Sequence, residues 1–324
     1  MSADLTIAVT GPTGEVGRAF LRTLERRRDV KRVLGMARSE FDPAELGLRK
    51  TEYRQGDVLD LAALEDLAAE ADVLVHLAFM IMGGHEETRR INLAGSRNVF
   101  QAARRVKRLV YTSSVAAYGF HADNPQPLTE DVPPRGTEGF YYSAQKAELE
   151  EALEEELLAS GVETYVLRPC IVAGPDALML IRQLPQARVP GLLRRAVPPL
   201  LPDPGIPFQL VHHDDVASAL VAAARGTGTP GAYNLAANGT ITLRDVAHAL
   251  GWHAIGVPSP LVGLAALGAG LPLVPSLAQW LNSVRVPVVM DTAKARRELR
   301  WRPRHDTLTT LRLTVASARV RGVI

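Results

Sequence analysis

Tyr142 and Lys146 stand four residues apart in Phe140-Tyr141-Tyr142-Ser143-Ala144-Gln145-Lys146. On a helix this spacing puts a phenol and an ammonium on one face, one turn apart. Coulomb attraction to the ammonium favours the phenolate, so the tyrosine can give or take a proton near neutral pH. Tyrosine and lysine often meet at this spacing by chance, and the pair gains meaning from two other runs. Thr10-Gly11-Pro12-Thr13-Gly14-Glu15-Val16-Gly17 lies near the N-terminus, and Thr112-Ser113-Ser114 ends an apolar stretch upstream of the tyrosine. The three together describe a site for hydride exchange with a nicotinamide.

The Gly-rich run joins a predicted strand to a predicted helix. Glycines there permit a tight turn, close approach of backbone to a pyrophosphate, and close helix–sheet packing. The helix N-terminus adds free N–H groups and the positive end of a dipole. Gly11, Thr13, Gly14, Glu15, Val16 and Gly17 are therefore the candidate phosphate cradle. Their spacing is G-x-x-G-x-x-G, not the commoner G-x-G-x-x-G, and a Gly-rich turn with no ligand is the competing reading. The second strand ends Met36-Ala37-Arg38-Ser39, without the carboxylate that would accept from an adenosine ribose. Arg38 instead offers a planar guanidinium suited to a 2′-phosphate, which favours NADP over NAD as cofactor. A surface arginine indifferent to phosphate is the alternative. In Gly56-Asp57-Val58, Asp57 either accepts from the adenine amine or caps the next turn.

Hydrophobic periodicity supplies the elements that position these groups. Strands are expected over residues 5–10, 30–37, 48–55, 73–77, 108–114 and 162–167. Helices are expected over 14–27, 61–70, 91–103 and 142–160. The alternation predicts an α/β fold, a doubly wound Rossmann-type parallel sheet with helices on both faces. Thr10, Arg38, Asp57, Ala78 and Ser114 fall at or just past strand ends, where such sheets bind ligands, so they point to one long cleft. Beyond Gly174-Pro175 the texture changes, with many prolines over 185–207. A strand over 209–212, a helix over 215–225, a strand over 233–235 and a helix over 243–250 follow. The expected division is a dinucleotide-binding domain over 1–173 and a smaller, mainly substrate-binding region over 174–324, with 208–236 returning to the first.

Composition narrows the partners. The chain has 324 residues, 47% apolar, enough for a large core. A net charge of +2 gives no electrostatic case for nucleic acid or an anionic membrane. Residues 254–284 carry no charged side chain, but their longest proline-free apolar run, 261–271, is far short of a bilayer span. They are read as a lid or core packing, with a dimer contact or membrane-surface contact as alternatives. Cys170 is the only cysteine, which excludes an intramolecular disulfide and fits a reducing cytoplasm. Following Arg168-Pro169, it reads as a small core residue rather than a nucleophile. No secretion signal is expected, because Met1 to Asp4 run straight into a strand. No metal site is expected.

These residues resemble the extended short-chain dehydrogenase/reductase family, the NAD-dependent epimerase/dehydratase group, from about residue 5 to about residue 310. Thr10 to Gly17 is similar to the family's TGxxGxxG turn, Gly56-Asp57-Val58 to its adenine-contact position, and His76-Leu77-Ala78 to the strand along the cofactor. Asn92 matches an asparagine on the next helix. Ser113-Ser114 with Tyr118-Gly119 matches S-S-x-x-x-Y-G, and Tyr142 with Lys146 matches YxxxK. Leu167-Arg168-Pro169 with Gly174-Pro175 matches the stretch beside the nicotinamide, which implies Pro169, Ile171 and Val172 as cofactor contacts. Residues 211–217 and 299–303 are also typical of the family. The resemblance implies Tyr142 as general acid or base and Lys146 as the group that lowers its pKa and holds the nicotinamide ribose. It implies Ser114 as donor to the reacting oxygen, with Ser113 as a competing serine kept as a cofactor contact. Val58, Leu77, Ala78 and Asn92 complete the implied cofactor set. A homodimer through helices near 91–104 and 142–159 is also implied, though the acidic outer face of the second counts against it.

The expected substrate is a small molecule that is not a nucleotide. Phe208-Gln209-Leu210-Val211 stands where sugar-nucleotide members carry a diphosphate-clamping arginine, and Val115-Ala116 where sugar dehydratases carry an Asp-Glu pair. Phe79, Met80 and Met82, with Ser114 and Ala116, form an expected greasy pocket suited to an apolar ketone or aldehyde. Core or interface packing is the other reading of the Phe79–Met82 run. The favoured function is NADPH-linked carbonyl reduction or the reverse alcohol oxidation. The alternatives are a sugar-nucleotide epimerase or dehydratase and, from another class, a non-catalytic dinucleotide sensor.

Overall fold

The computed structural model describes residues 4–81, 85–182, 184, 200–257 and 286–324. Seven strands form one sheet: β1 (Leu5–Thr10), β2 (Val30–Ala37), β3 (Thr51–Gln55), β4 (Val73–His76), β5 (Arg108–Thr112), β6 (Glu163–Pro169) and, much later, β10 (Gly231–Leu235). Their spatial order is β3-β2-β1-β4-β5-β6-β10, and every pairing is parallel. This is the doubly wound order, with the crossover direction reversing between β1 and β4. The central strands read as unbroken apolar runs because both faces are covered. Ile7, Val9, Val33, Val73, Val75 and Val110 are all buried.

The helices are α1 (Glu15–Glu25), α2 (Leu61–Ala69), α3 (His85–Ala102), α4 (Tyr141–Leu157), α5 (Met179–Arg182), α6 (His213–Ala224), α7 (Leu243–Leu250), α8 (Ala293–Glu298) and α9 (Thr307–Val320). On one side of the sheet α1 lays Phe20, Leu21 and Leu24 into a core shared with Leu220, Tyr233 and Trp301. On the other, α2, α3 and α4 bury Leu64, Phe100, Leu149 and Leu153 around Tyr111. The helix expected from residue 91 begins six residues earlier, at His85, because Asp-free polar residues ahead of Ile91 conceal its first turns from an apolar-period reading.

Two small parallel pairs lie outside the main sheet: β7 (Ile171–Ala173) with β9 (Leu210–His212), and β8 (Leu200–Asp203) with β11 (His253–Gly256). A third core of Ile181, Leu201, Leu210, Val246, Leu311 and Val315 sits among them. Asp215, fully buried at the start of α6, accepts from the amides of Arg304 at 2.9 Å and His305 at 3.3 Å. The Trp301 indole donates to the Asp215 carbonyl at 2.8 Å. Of the uncharged stretch, Ala254 to Val257 are described, and 258–284 lie outside the described residues.

Candidate active site

The turn after β1 is shaped by its glycines, each for a different reason. Gly11 is left-handed at φ +76°, and a Cβ there would come to 2.6 Å from the Ala78 nitrogen. A Cβ at Gly17 would meet the Gly11 carbonyl oxygen at 2.4 Å, so that glycine lets α1 close onto the turn. Gly14 is different: its added Cβ would find only the Gly11 oxygen, at 3.6 Å. Gly14 also caps α1 with no side-chain hydrogen bond, leaving first-turn N–H groups free beside open space. These features fit a dinucleotide diphosphate. The Thr13 carbonyl takes the Arg18 Nε at 3.0 Å. The Glu15 carboxylate leaves the cradle and accepts from the Leu178 amide at 3.3 Å, with burial pushing its pKa up. Val16 packs on the core.

Along the strand ends, Arg38 is exposed and has no ion pair among the described residues; its carbonyl accepts from Gln55 at 2.7 Å. Asp57 caps the Leu59 amide with one oxygen at 3.0 Å, so the turn-capping reading is realised there. Val58 packs over Gly95, where any Cβ would meet it at 2.4 Å. The Leu77 amide bonds to the Thr10 carbonyl at 3.0 Å, and Ala78 presses on Gly11. His76 bridges Thr10 Oγ1 at 2.7 Å and Ser96 Oγ at 2.9 Å, and burial lowers its pKa to about 3, so it stays neutral.

Phe79 links this edge to the Tyr–Lys pair. Its ring meets Tyr142 edge-on at 5.5 Å between centroids, and Lys146 Nζ lies 3.8 Å from its centre. Phe140 lies 6.1 Å from Tyr142 and 5.9 Å from Phe120. Tyr141 donates to the Ile81 carbonyl. The Ser114 hydroxyl accepts from the Ala116 amide at 3.2 Å and contacts the Tyr142 phenol, whose pKa it pulls down against the larger upward push of burial. Ala116, buried, takes the Ser143 hydroxyl on its carbonyl at 2.6 Å, which ties this short turn to α4.

Lys146 is buried, donates to the Thr112 carbonyl at 2.9 Å, and has its pKa lowered by desolvation to about 7. The expectation that it lowers the Tyr142 pKa is therefore corrected. Burial raises the phenol, and the group that draws it down is the Ser114 hydroxyl rather than Lys146.

Two residues of the implied cofactor set turn their side chains elsewhere. The Ser113 hydroxyl donates to Glu150, behind the strand end. The Asn92 amide is fully engaged by protein: Oδ1 accepts from the Met80 amide at 2.8 Å, and Nδ2 donates to the Met80 carbonyl and Gln145 Oε1, both at 2.9 Å. It clamps the Phe79-Met80 segment, a role that spacing alone does not announce. Pro169 ends β6, and Ile171 and Val172 lie partly exposed in β7. Met82 lies outside the described residues.

A separate cluster, His212, His213 and Asp214, brings ligand-type atoms within 4.8 Å of one another. The Asp214 amide donates into His212 Nδ1 at 3.2 Å and the Asp176 amide into His213 Nε2 at 3.3 Å, so those lone pairs are in use.

The NAD dependent epimerase/dehydratase family matches residues 7–236. An uncharacterized protein of Sinorhizobium fredii, y4nG, is 27% identical over 312 residues, covering 93% of this chain and 75% of that protein. An Escherichia coli O157:H7 protein, N-acetyl-alpha-D-glucosaminyl-diphospho-ditrans,octacis-undecaprenol 4-epimerase, is 30% identical over 176 residues, covering 52% of this chain and 49% of that enzyme. The structure of UDP-glucuronic acid 4-epimerase from Bacillus cereus in complex with NAD has the same fold, with a TM-score of 0.74, 16% identity, and coverage of 98% of this chain and 99% of that one. No helix among the described residues is long and apolar enough to cross a membrane.

Proposed function

The chain belongs to the NAD dependent epimerase/dehydratase family, and from that premise we propose that it exchanges a hydride between a nicotinamide cofactor and a carbinol or carbonyl carbon. The observation that carries this reading is the meeting of Ser114, Tyr142 and Lys146 beside Phe79, one residue from the Ala78 contact with the Gly11 turn. When bound, the nicotinamide supplies or accepts the hydride. Tyr142 gives its proton to the oxygen that gains charge, or takes one in the reverse direction. Ser114 Oγ, whose lone pair takes the Ala116 amide and whose hydrogen reaches the Tyr142 phenol, would turn that hydrogen to the same oxygen once substrate is bound. Lys146, when protonated, is a cation beside the phenol and the residue that would hold the ribose. The Gly14 turn would hold the diphosphate and the unengaged Asp57 oxygen the adenine. Arg38, exposed and unpaired among the described residues, supports NADP, whereas the Bacillus cereus neighbour holds NAD.

For the substrate, epimerisation or dehydration of a sugar carried on a diphosphate, a sugar nucleotide in the reading drawn from sequence, is supported better than the apolar ketone by the family, by the Escherichia coli relative named for a diphospho-linked sugar, and by the UDP-glucuronic acid 4-epimerase that shares the fold. A second reading, net reduction of a largely apolar carbonyl, is favoured by two observations. Phe79, Phe120, Phe140 and Tyr141 line the approach to Tyr142. Gln209, near the place of a clamping arginine, commits its amide to Met290, accepting at 2.8 Å and donating at 3.3 Å. We place substrate binding mainly in 174–324, and the protein in the cytoplasm on its single cysteine. The test is to assay purified protein for retained nicotinamide, then for conversion of UDP- and dTDP-sugars and for NADH or NADPH oxidation with aromatic, terpenoid and steroid ketones. Sugar conversion without net cofactor change supports the first reading, and stoichiometric cofactor oxidation by ketones the second. Cofactor binding with neither activity overturns both and leaves a dinucleotide sensor.

A further inference from the structure

We propose that Glu150 is a positioning residue of this site: from α4 it fixes the end of β5 so that Ser114 faces Tyr142, and it sets its carboxylate on the helix face that also presents Lys146. The proposal rests on the nicotinamide reading above. Residues 142, 146 and 150 share one face of α4, one turn apart. They address three consecutive residues at the end of β5. Tyr142 contacts the Ser114 hydroxyl, Lys146 donates to the Thr112 carbonyl at 2.9 Å, and Glu150 accepts from the Ser113 hydroxyl.

Ser114 is extended at φ −161° and ψ 155°, and neighbours in extended chain point to opposite faces. Pinning Ser113 inward therefore turns Ser114 outward, toward the phenol. Glu150 is itself immobilised. Arg168 Nε donates to its two oxygens at 3.0 and 3.1 Å, and the second guanidinium nitrogen adds a further bond. The other end of Arg168 donates to the Tyr118 hydroxyl at 2.8 Å; Tyr118 donates to Asn234 Oδ1 at 2.7 Å, and Asn234 Nδ2 to the Leu128 carbonyl at 3.1 Å. One polar chain thus ties α4, β5, β6, β10 and the turn carrying Tyr118.

Lys146 faces Tyr142 and Glu150 from α4, Tyr111 and the Thr112 carbonyl from β5, neutral His76 from β4, and the Phe79 ring. Burial works against its charge, and Glu150 is the anion that opposes burial. A residue with only a packing role would not change where Lys146 titrates.

The experiment follows NADH binding by fluorescence from pH 6 to pH 10 in the wild type, Glu150→Gln and Lys146→Met. Glutamine keeps the shape and the acceptor for Ser113 while removing the charge. In the wild type, affinity falls as Lys146 loses its proton. Lys146→Met is expected to flatten that profile, and Glu150→Gln to move its midpoint down by about one unit. If Glu150→Gln does not fold, Glu150→Gln with Arg168→Met leaves no buried guanidinium without its carboxylate and carries the same expectation. An unmoved midpoint, or binding weakened equally at every pH, overturns the proposal while the nicotinamide reading stands. Absence of both NADH and NADPH binding in the folded wild type overturns the nicotinamide reading instead.

Discussion

Ser113 and Ser114 are neighbours in the chain, yet they belong to two clusters finished in opposite ways. Behind the end of β5, Ser113, Glu150, Arg168, Tyr118 and Asn234 are all buried, and each bonds to the next. In front, the hydroxyls of Ser114 and Tyr142 meet each other, and Lys146 rests its ammonium on an aromatic face, the Thr112 carbonyl at 2.9 Å and the Tyr111 hydroxyl at 3.4 Å. The difference separates holding from reacting. A closed network fixes geometry because no bond can be exchanged without loss, whereas reactive groups need capacity that the fold has not consumed.

The sharpest way to break this contrast is Tyr142→Phe. Turnover of the substrate found in the screen is expected to fall by roughly 10²–10⁴-fold, by nicotinamide absorbance, while urea unfolding moves little. A variant that lost stability instead would make the front cluster structural. Arg168→Ala should do the reverse at the back and strand a buried carboxylate. Urea unfolding should show a loss of about 3–5 kcal/mol, and a loss below about 1 kcal/mol would mean that the network is not closed. Third, Gly11→Ala, at φ +76° with Ala78 in the way, should cost about 1–3 kcal/mol. Gly14→Ala, with open space, should be far milder in stability yet weaken NADH binding, by fluorescence titration. The fourth prediction concerns pH. The folded pKa of Lys146 lies near 7, below its ordinary 10.5, so between these values the unfolded chain binds more protons. Stability should therefore rise from pH 7 to pH 9 by an amount on the order of 1–2 kcal/mol, and Lys146→Met should abolish that rise in urea titrations at both pH values. The smallest effect belongs to Arg38→Ala, exposed and outside both clusters. Stability should stay within about 0.5 kcal/mol, while the NADPH-to-NADH affinity ratio falls.

Much of the nucleotide half was legible because its strands are buried on both faces. β1 and β2 match their expected bounds residue for residue, and α7 in the second half does as well. The front cluster was also legible, since the spacing of Tyr142 and Lys146 needs only helical geometry. The back network was not: Glu150 reads as one more acidic residue on a helix rich in them. Only the tertiary meeting with Arg168 reveals that it faces inward at 6% side-chain exposure. The direction of the Tyr142 pKa was missed for a related reason. Spacing reports that a charge is near, while burial decides whether the charge persists. In the second half, β7, β8, β11, α8 and α9 went unassigned; the three strands have only three or four residues each and α8 only six, too short for periodicity to speak.

The Asp215 carboxylate makes the nucleotide half depend on residues far along the sequence. It lies on α6, which packs against α1, and its partners are the amides of Arg304 and His305. Without those two amides the carboxylate would have to stay hydrated or be buried unpaired, which would cost several kcal/mol. The nucleotide half is thus closed by residues 304–305, although five of its seven sheet strands lie before residue 113.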